Sequence, residues 1–406
     1  MRTLRGAENA ERNTKLNTVR ARVWQFRVQG PMVAVTEVGQ GDLPVGLARL
    51  IHINALACDL NRVLDYRTKQ LEVRLLASYL DAPGTGGPLQ VDHRAFVASS
   101  RHIRGFVTEC SGLGMLTAAS EALFAWDSTT HGLHSFDALP GRMLTDYRAV
   151  GIRPDLLFHL PGGRVAGEAR GRHRRPKALL PKEPLAEQKS RLQELALWSA
   201  SHQEHAYFMS WVWIGRSGVA VDIFLPQNGR WDGALDPRWH RHSEGRQWHF
   251  PVREPQHRPP APPFGQEPDG DLGPLLDSLP GKHGPHATGP LQMVSRAQSA
   301  PDPQEQAEHR AQRLYATAPE ADAELAGIPV RGTWMPADAL GSARYEVLLA
   351  VLAEQPPRQV GVRERLARAQ GRFDACLDGR LLTVVRSAAA PPPRWQDLEE
   401  VLLSSE

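Results

Sequence analysis

Cysteine is scarce in this chain. Cys58, Cys110 and Cys376 are the only three in 406 residues, and they lie far apart. That excludes a disulfide framework and a thiolate metal site, and it predicts a reducing, cytoplasmic setting. Long apolar runs are missing as well, so no membrane partner is expected. The first twenty residues are basic and polar, lack the apolar core of a signal peptide, and read as a loose arm. Neither charge sign is in large excess, and a formal net charge of +3 names no partner by itself. There is no Gly-Lys-Ser phosphate loop, and Gly112 and Gly114 do not continue into a phosphate-binding fingerprint, which argues against a nucleotide-driven motor. Ser111 lacks the strand–Ser–helix setting of a hydrolase elbow, and Cys110 is a poor nucleophile candidate. The 16 histidines show no metal-ligand spacing; His240, His242 and His249 lie near Trp239 and Trp248 without a cysteine or paired carboxylate to complete a zinc site.

What is present is the composition of a globular protein, 41% apolar and 23% charged, long enough for two or three domains. Residues 1–88 read as a strand–helix region: two strands about a turn at 28–31, then one or two amphipathic helices over 45–80. Residues 89–250 are the densest part, with a helix over 113–126, a hairpin over 154–170, a helix over 183–204 in which Glu187 is placed to pair with Arg191, and strands at 206–215 and 219–225. Residues 251–310 form a Pro/Gly-rich linker, with five prolines within 255–263. Residues 311–406 regain patterning as a separate C-terminal α+β domain, with Tyr345–Leu352 read as a helix core and Phe373–Val385 as a strand–turn–strand about Asp378-Gly379. The fold class is α/β (α+β), a mixed central sheet with helices packed on it.

The hairpin carries the most chemistry. Asp155 opens an apolar run, Pro161-Gly162-Gly163 turns it, and the returning strand ends in Glu168-Ala169-Arg170. Alternation places Glu168 and Arg170 on one face, and a suitable register sets Asp155 across from them. Two carboxylates beside a cation suit a divalent metal and a phosphate, with the Ala169 carbonyl as a third oxygen. Arg170, Arg172, His173, Arg174, Arg175 and Lys177 then form a basic cluster fit for a nucleic-acid backbone. The bland alternative is a charged surface hairpin in which Glu168 pairs with Arg170 or Arg172.

Pro154-Asp155 followed by Glu168-Ala169-Arg170, with this order of elements over residues 95–230, resembles the core of the PD-(D/E)XK nuclease superfamily, the restriction-endonuclease-like fold. The resemblance implies a DNA endonuclease dependent on Mg²⁺ or Mn²⁺, of restriction-like or phage-defence type. It implies metal held by Asp155, Glu168 and Ala169, with Glu121 as the acid of the preceding helix and Glu109 second. Gln188 and Lys189 take the positions of polar residues on the following helix. One departure matters: Arg170 stands where the family has lysine. Arginine stays charged and clamps phosphate but cannot act as a base; the lysine role would then fall to Lys182 or Lys189, or the site is degenerate. Two function classes follow: a nuclease, or a non-catalytic nucleic-acid-binding or scaffold protein that keeps the fold. DNA is the expected partner and other nucleic acid an alternative; a homodimer or a protein partner is left open.

The tryptophans divide similarly. Trp211 and Trp213 share one face of a strand, which suits core packing; a base-stacking platform would require exposure. Trp231, Trp239 and Trp248 lie in a loop-rich stretch suited to contact with a partner, and Trp24 among Arg20, Arg22 and Arg27 is a candidate for a nucleic-acid surface.

Overall fold

The computed structural model describes residues 17–57, 65–81, 87–124, 126, 132–139, 143, 146–147, 151–160, 163–174, 179–227, 303–338, 344–356 and 373–403. Almost all of the expected linker lies outside them, as do Trp231, Trp239, Trp248, His240, His242, His249, Arg175 and Lys177.

The described residues begin with a long hairpin, β1 (Asn17–Gln29) and β2 (Met32–Val45), turned through Gly30 at φ +57°. Helices α1 (Leu47–Ala57) and α2 (Tyr66–Tyr79) follow, then the short pair β3 (Leu80–Asp81) and β4 (Gln90–Val91), α3 (His93–Ala98) and the 24-residue α4 (Arg101–Phe124). Next come β5 (Leu133–Ser135), β6 (Leu156–Leu160), β7 (Gly163–His173), α5 (Ala186–Ser201), β8 (Tyr207–Gly215) and β9 (Gly218–Pro226). The described residues from 303 onward form α6 (Pro303–Thr317), β10 (Glu320–Leu325), β11 (Ile328–Pro336), β12 (Tyr345–Leu352), β13 (Phe373–Asp378), β14 (Leu381–Ser387) and α7 (Trp395–Leu402).

The central sheet runs β2-β1-β9-β8-β7-β6-β5. It is mixed: β1 is parallel to β9 and β7 to β8, while the other neighbours are antiparallel. The strands expected at 154–160 and 164–170 are therefore adjacent and antiparallel. The first hairpin belongs to this sheet: β1 pairs in parallel with β9, and its Val19, Ala21 and Val23 are buried. The C-terminal residues form a second, antiparallel sheet, β10-β11-β12-β14-β13.

Helix α4 lies against β7 and β8 on one face of the central sheet. Small residues permit the close approach. A Cβ on Gly112 would lie 3.3 Å from the Arg170 backbone, and one on Gly114 would meet Leu50 of α1 at 2.5 Å. The buried hydroxyls of Ser111 and Ser120 bond back to the carbonyls of Val107 and Leu116, so polar residues inside α4 are satisfied within the helix. The helix starts twelve residues before the position expected from periodicity; its first turns expose Arg101 and His102 but already carry Ile103, Phe106, Val107 and Cys110 at helical spacing toward the core.

Helices α1 and α2 connect the two sheets through one continuous apolar core that includes Leu50, Ile53 and Leu76 with Val347, Leu349 and Val385. Polar contacts seal the junction. Tyr66 Oη donates to the Leu349 carbonyl at 2.5 Å, Tyr345 Oη to the carbonyls of Ala77 and Leu80, and the Asp374 carboxylate accepts from Ala48 N at 2.8 Å in the first turn of α1. On its other face the second sheet packs against Leu398, Val401 and Leu402 of α7.

One element differs from expectation. Tyr345–Leu352, read as a helix core, is strand β12. It lies between β11 and β14 with both faces covered, so its apolar residues run on without alternation, and such a run has no helical signature of its own.

Candidate functional site

The register of β6 on β7 pairs Leu156 with Gly167, and Asp155 N donates to the Gly167 carbonyl at 3.0 Å. Asp155 therefore sits opposite Glu168. Its Oδ2 accepts from Ala169 N at 2.7 Å, so Ala169 enters the site through its amide. Glu168 is fully buried on the face covered by α5. Its Oε1 receives Arg170 Nη2 at 2.5 Å and Arg191 Nε and Nη2 at 2.7 and 2.6 Å. Its Oε2 is buried with no hydrogen-bond partner among the described residues.

The electrostatics follow from this crowding. Burial, and next the charge of Asp155, raise the Glu168 carboxyl to about 8 against the opposing pull of Arg170 and Arg191. Asp155 is raised too, by burial first; the Ala169 amide, Arg170 and Arg191 oppose the shift, and Glu109 adds to it. The pair is held ionised only at a penalty, which a further cation would relieve.

The other expected residues are distributed unevenly. Glu121 pairs with Arg49 at 2.9 Å, and its charge bears on Asp374 and Cys376, away from the two acids. Glu109 is the α4 acid whose charge reaches Asp155. Gln188 is buried, but its Oε1 accepts from Leu185 N at 2.8 Å and its amide nitrogen is 3.5 Å from Asp222. Lys182 is exposed and Lys189 half-buried, and neither pairs with Asp155 or Glu168. The helical cation at the acids is Arg191. It lies two residues beyond Lys189, hence about 200° around the helix, and one turn beyond Gln188 on the buried face. The i,i+4 spacing predicts a Glu187–Arg191 pair; in the structure Glu187 pairs with Arg172 at 2.8 Å, and Arg191 takes Glu168 and Glu194. Only the register of α5 on the sheet decides between those partners.

Of the basic cluster, Arg170, Arg172 and Arg174 follow the alternation. His173 does not join them: it points to the α4 face, its ring 5.7 Å from His93 and 5.3 Å from Phe96. Trp211 and Trp213 are buried, as core packing requires. Trp24 is buried as well, and so is Arg22, so they form no exposed nucleic-acid surface. Instead Asp222 gathers Arg22 Nε at 2.8 Å, Trp24 Nε1 at 2.9 Å and Trp213 Nε1 at 2.7 Å, while Arg22 Nη1 reaches the Pro181 carbonyl at 2.8 Å ahead of α5. This network, invisible as a motif, ties β1, β8 and β9 to the approach to the helix that carries Arg191.

A cleft of about 550 Å³ opens between β7, β8 and α5, lined by Arg170, Arg172, Glu187, Ser190, Arg191 and Trp211, among others. Among the described residues no group of three or more His, Cys, Asp or Glu is placed to hold a metal ion, so a metal here would rely on two carboxylates and backbone or solvent oxygen. No helix among the described residues is long and apolar enough to cross a membrane. Compared with known proteins, the chain matches no family model, no curated protein and no solved structure.

Proposed function

We propose that this chain is a nuclease-like protein of restriction-endonuclease-like architecture that hydrolyses DNA phosphodiesters with Mg²⁺ or Mn²⁺ at Asp155 and Glu168. The observation that carries the reading is the pair itself: two carboxylates opposed across adjacent strands, with one buried Glu168 oxygen left without a partner. That donor set fits a hard divalent cation, which takes carboxylate oxygens and readily keeps water in its remaining positions. Such an ion, when bound, supplies charge neutralisation and an activated water. The protein's own part is to hold the acids together, with the Ala169 amide fixing Asp155. Arg170 and Arg191, both in contact with Glu168, are placed to bind the phosphate and stabilise its developing charge. Neither can accept a proton, so their role is electrostatic.

A second reading is favoured by a specific observation. A single oxygen of Glu168 carries both guanidinium groups, an arrangement that also suits a structural ion pair in a non-catalytic nucleic-acid-binding protein. Supercoiled, linear and single-stranded DNA incubated with wild type and Asp155→Ala, with and without Mg²⁺ or Mn²⁺, separates the two. Metal-dependent cleavage lost in the variant supports hydrolysis. Salt-sensitive binding without cleavage of any form supports the second reading, and equal cleavage by both proteins rejects the site.

A further inference from the structure

The face of β7 that looks toward α5 presents Arg170 and Arg172, and Arg174 continues the alternation one residue past the strand, with about 6.6 Å for each two residues of strand. The parallel neighbour β8 sets Trp211 beside Arg170 and Trp213 beside Arg172 in register. The guanidiniums lean one step back along this ladder: Arg172 lies over Trp211 at 5.8 Å and Arg174 over Trp213 at 5.5 Å. Each indole thus supports a planar cation. A straight row of cations at an even repeat suits a linear polyanion better than a compact anion.

The row is not free of acids. Glu187 holds Arg172 at 2.8 Å and Glu194 holds Arg191 at 2.8 Å. Unlike Glu168, these two carboxylates stand in water, with side chains 62% and 45% exposed. Exposed pairs of this kind are weak and screened by salt. A phosphate offers the same guanidiniums an equivalent partner without requiring the strand or helix to move.

We propose that Arg170, Arg172 and Arg174, with Arg191, form a track for the phosphodiester backbone of a DNA strand, and that Glu187 and Glu194 are displaceable carboxylates that occupy two of its guanidiniums until a phosphate replaces them. The track deepens the reading of the Asp155–Glu168 site and rests on it for the identity of the polyanion. Its consequence is selectivity: small or weakly charged anions fail to displace the carboxylates, while a strand that meets several arginines at once succeeds.

The test uses the full chain and a fluorescein-labelled 20-nucleotide single-stranded DNA, followed by anisotropy in EDTA over a KCl series. Glu187→Gln/Glu194→Gln is expected to bind about 5- to 30-fold more tightly than wild type, the range set by removing two weak exposed competitors. Arg172→Ala is expected to bind more weakly, with a shallower dependence of affinity on salt. The discriminating arm is Glu187→Gln in the Arg172→Ala background. A displaceable partner predicts that its gain disappears there, whereas a general loss of negative charge predicts the same gain in both backgrounds. An unchanged gain, or no gain in either background, overturns the proposal. Far-UV circular dichroism of each variant checks that the fold is kept. Because binding is read without metal, loss of cleavage with intact coupling sinks only the hydrolytic reading, and cleavage without coupling sinks only the track.

Discussion

The buried pair of Arg22 and Asp222 makes a sharp prediction about what holds the candidate site in place. Asp222 is fully buried and accepts from Arg22 Nε at 2.8 Å, from Trp24 Nε1 at 2.9 Å and from Trp213 Nε1 at 2.7 Å, with Arg22 Nη2 2.7 Å away as the ion-pair contact. Arg22→Met keeps the side-chain length but leaves a carboxylate in the core without its cation. Removing one partner of a buried pair costs about 3–5 kcal/mol. Two indole N–H groups remain on the carboxylate, which places the expectation at the lower end, about 3 kcal/mol. Against a total stability of about 5–15 kcal/mol the variant still folds. With a urea dependence near about 3 kcal/mol per molar, the midpoint moves down by roughly 1 M. Arg22→Met/Asp222→Asn removes the stranded charge while keeping an acceptor for the indoles, and is expected to recover at least half of the loss. Tryptophan fluorescence and far-UV circular dichroism in urea at 25 °C read both. A midpoint shift below about 0.3 M for the single variant, or a double variant no better than the single, would refute the reasoning.

Glu168 predicts a pH dependence. Its folded value, near 8, is above its ordinary 4.5, so the stability it contributes is fully present below about pH 4.5 and is lost as pH rises through about 8. Urea midpoints between pH 5.5 and 9 should fall in wild type and flatten in Glu168→Gln; an equal fall in both removes Glu168 as the cause. At pH 8, Mn²⁺ should raise the melting temperature of wild type and leave that of Asp155→Ala unchanged; an equal rise in both would place the ion elsewhere. Gly171→Ala drives a methyl into the Thr108 carbonyl where α4 crosses β7 and should lose at least about 1–3 kcal/mol in thermal unfolding. Tyr345→Phe strips a buried donor from the carbonyls of Ala77 and Leu80, and a loss of about 1–3 kcal/mol in urea titration would measure the junction between the two sheets.

The elements legible in the sequence were those whose signals are local. The turn at Gly162-Gly163 between two apolar runs announced the antiparallel strands β6 and β7, and with them the juxtaposition of Asp155 and Glu168. Alternation along β7 placed Glu168, Arg170, Arg172 and Arg174 on one face, because a strand repeats every two residues wherever it is put. The Asp378-Gly379 turn and the apolar runs of β8 and β9 were readable for the same reason. Tyr345–Leu352 was not, since a run buried on both faces loses the period that distinguishes strand from helix. Partner choice was likewise beyond the sequence. Glu187 and Arg191 have ideal helical spacing, yet docking of α5 on the sheet gives Arg191 to Glu168 and Glu187 to Arg172. Arg22 and Asp222 lie two hundred residues apart, and only the parallel pairing of β1 with β9 brings them together. The sequence by itself determined which faces carry charge; the tertiary structure decided which charges meet, which are buried and which face the cleft, because desolvation and pairing depend on neighbours that local periodicity does not name.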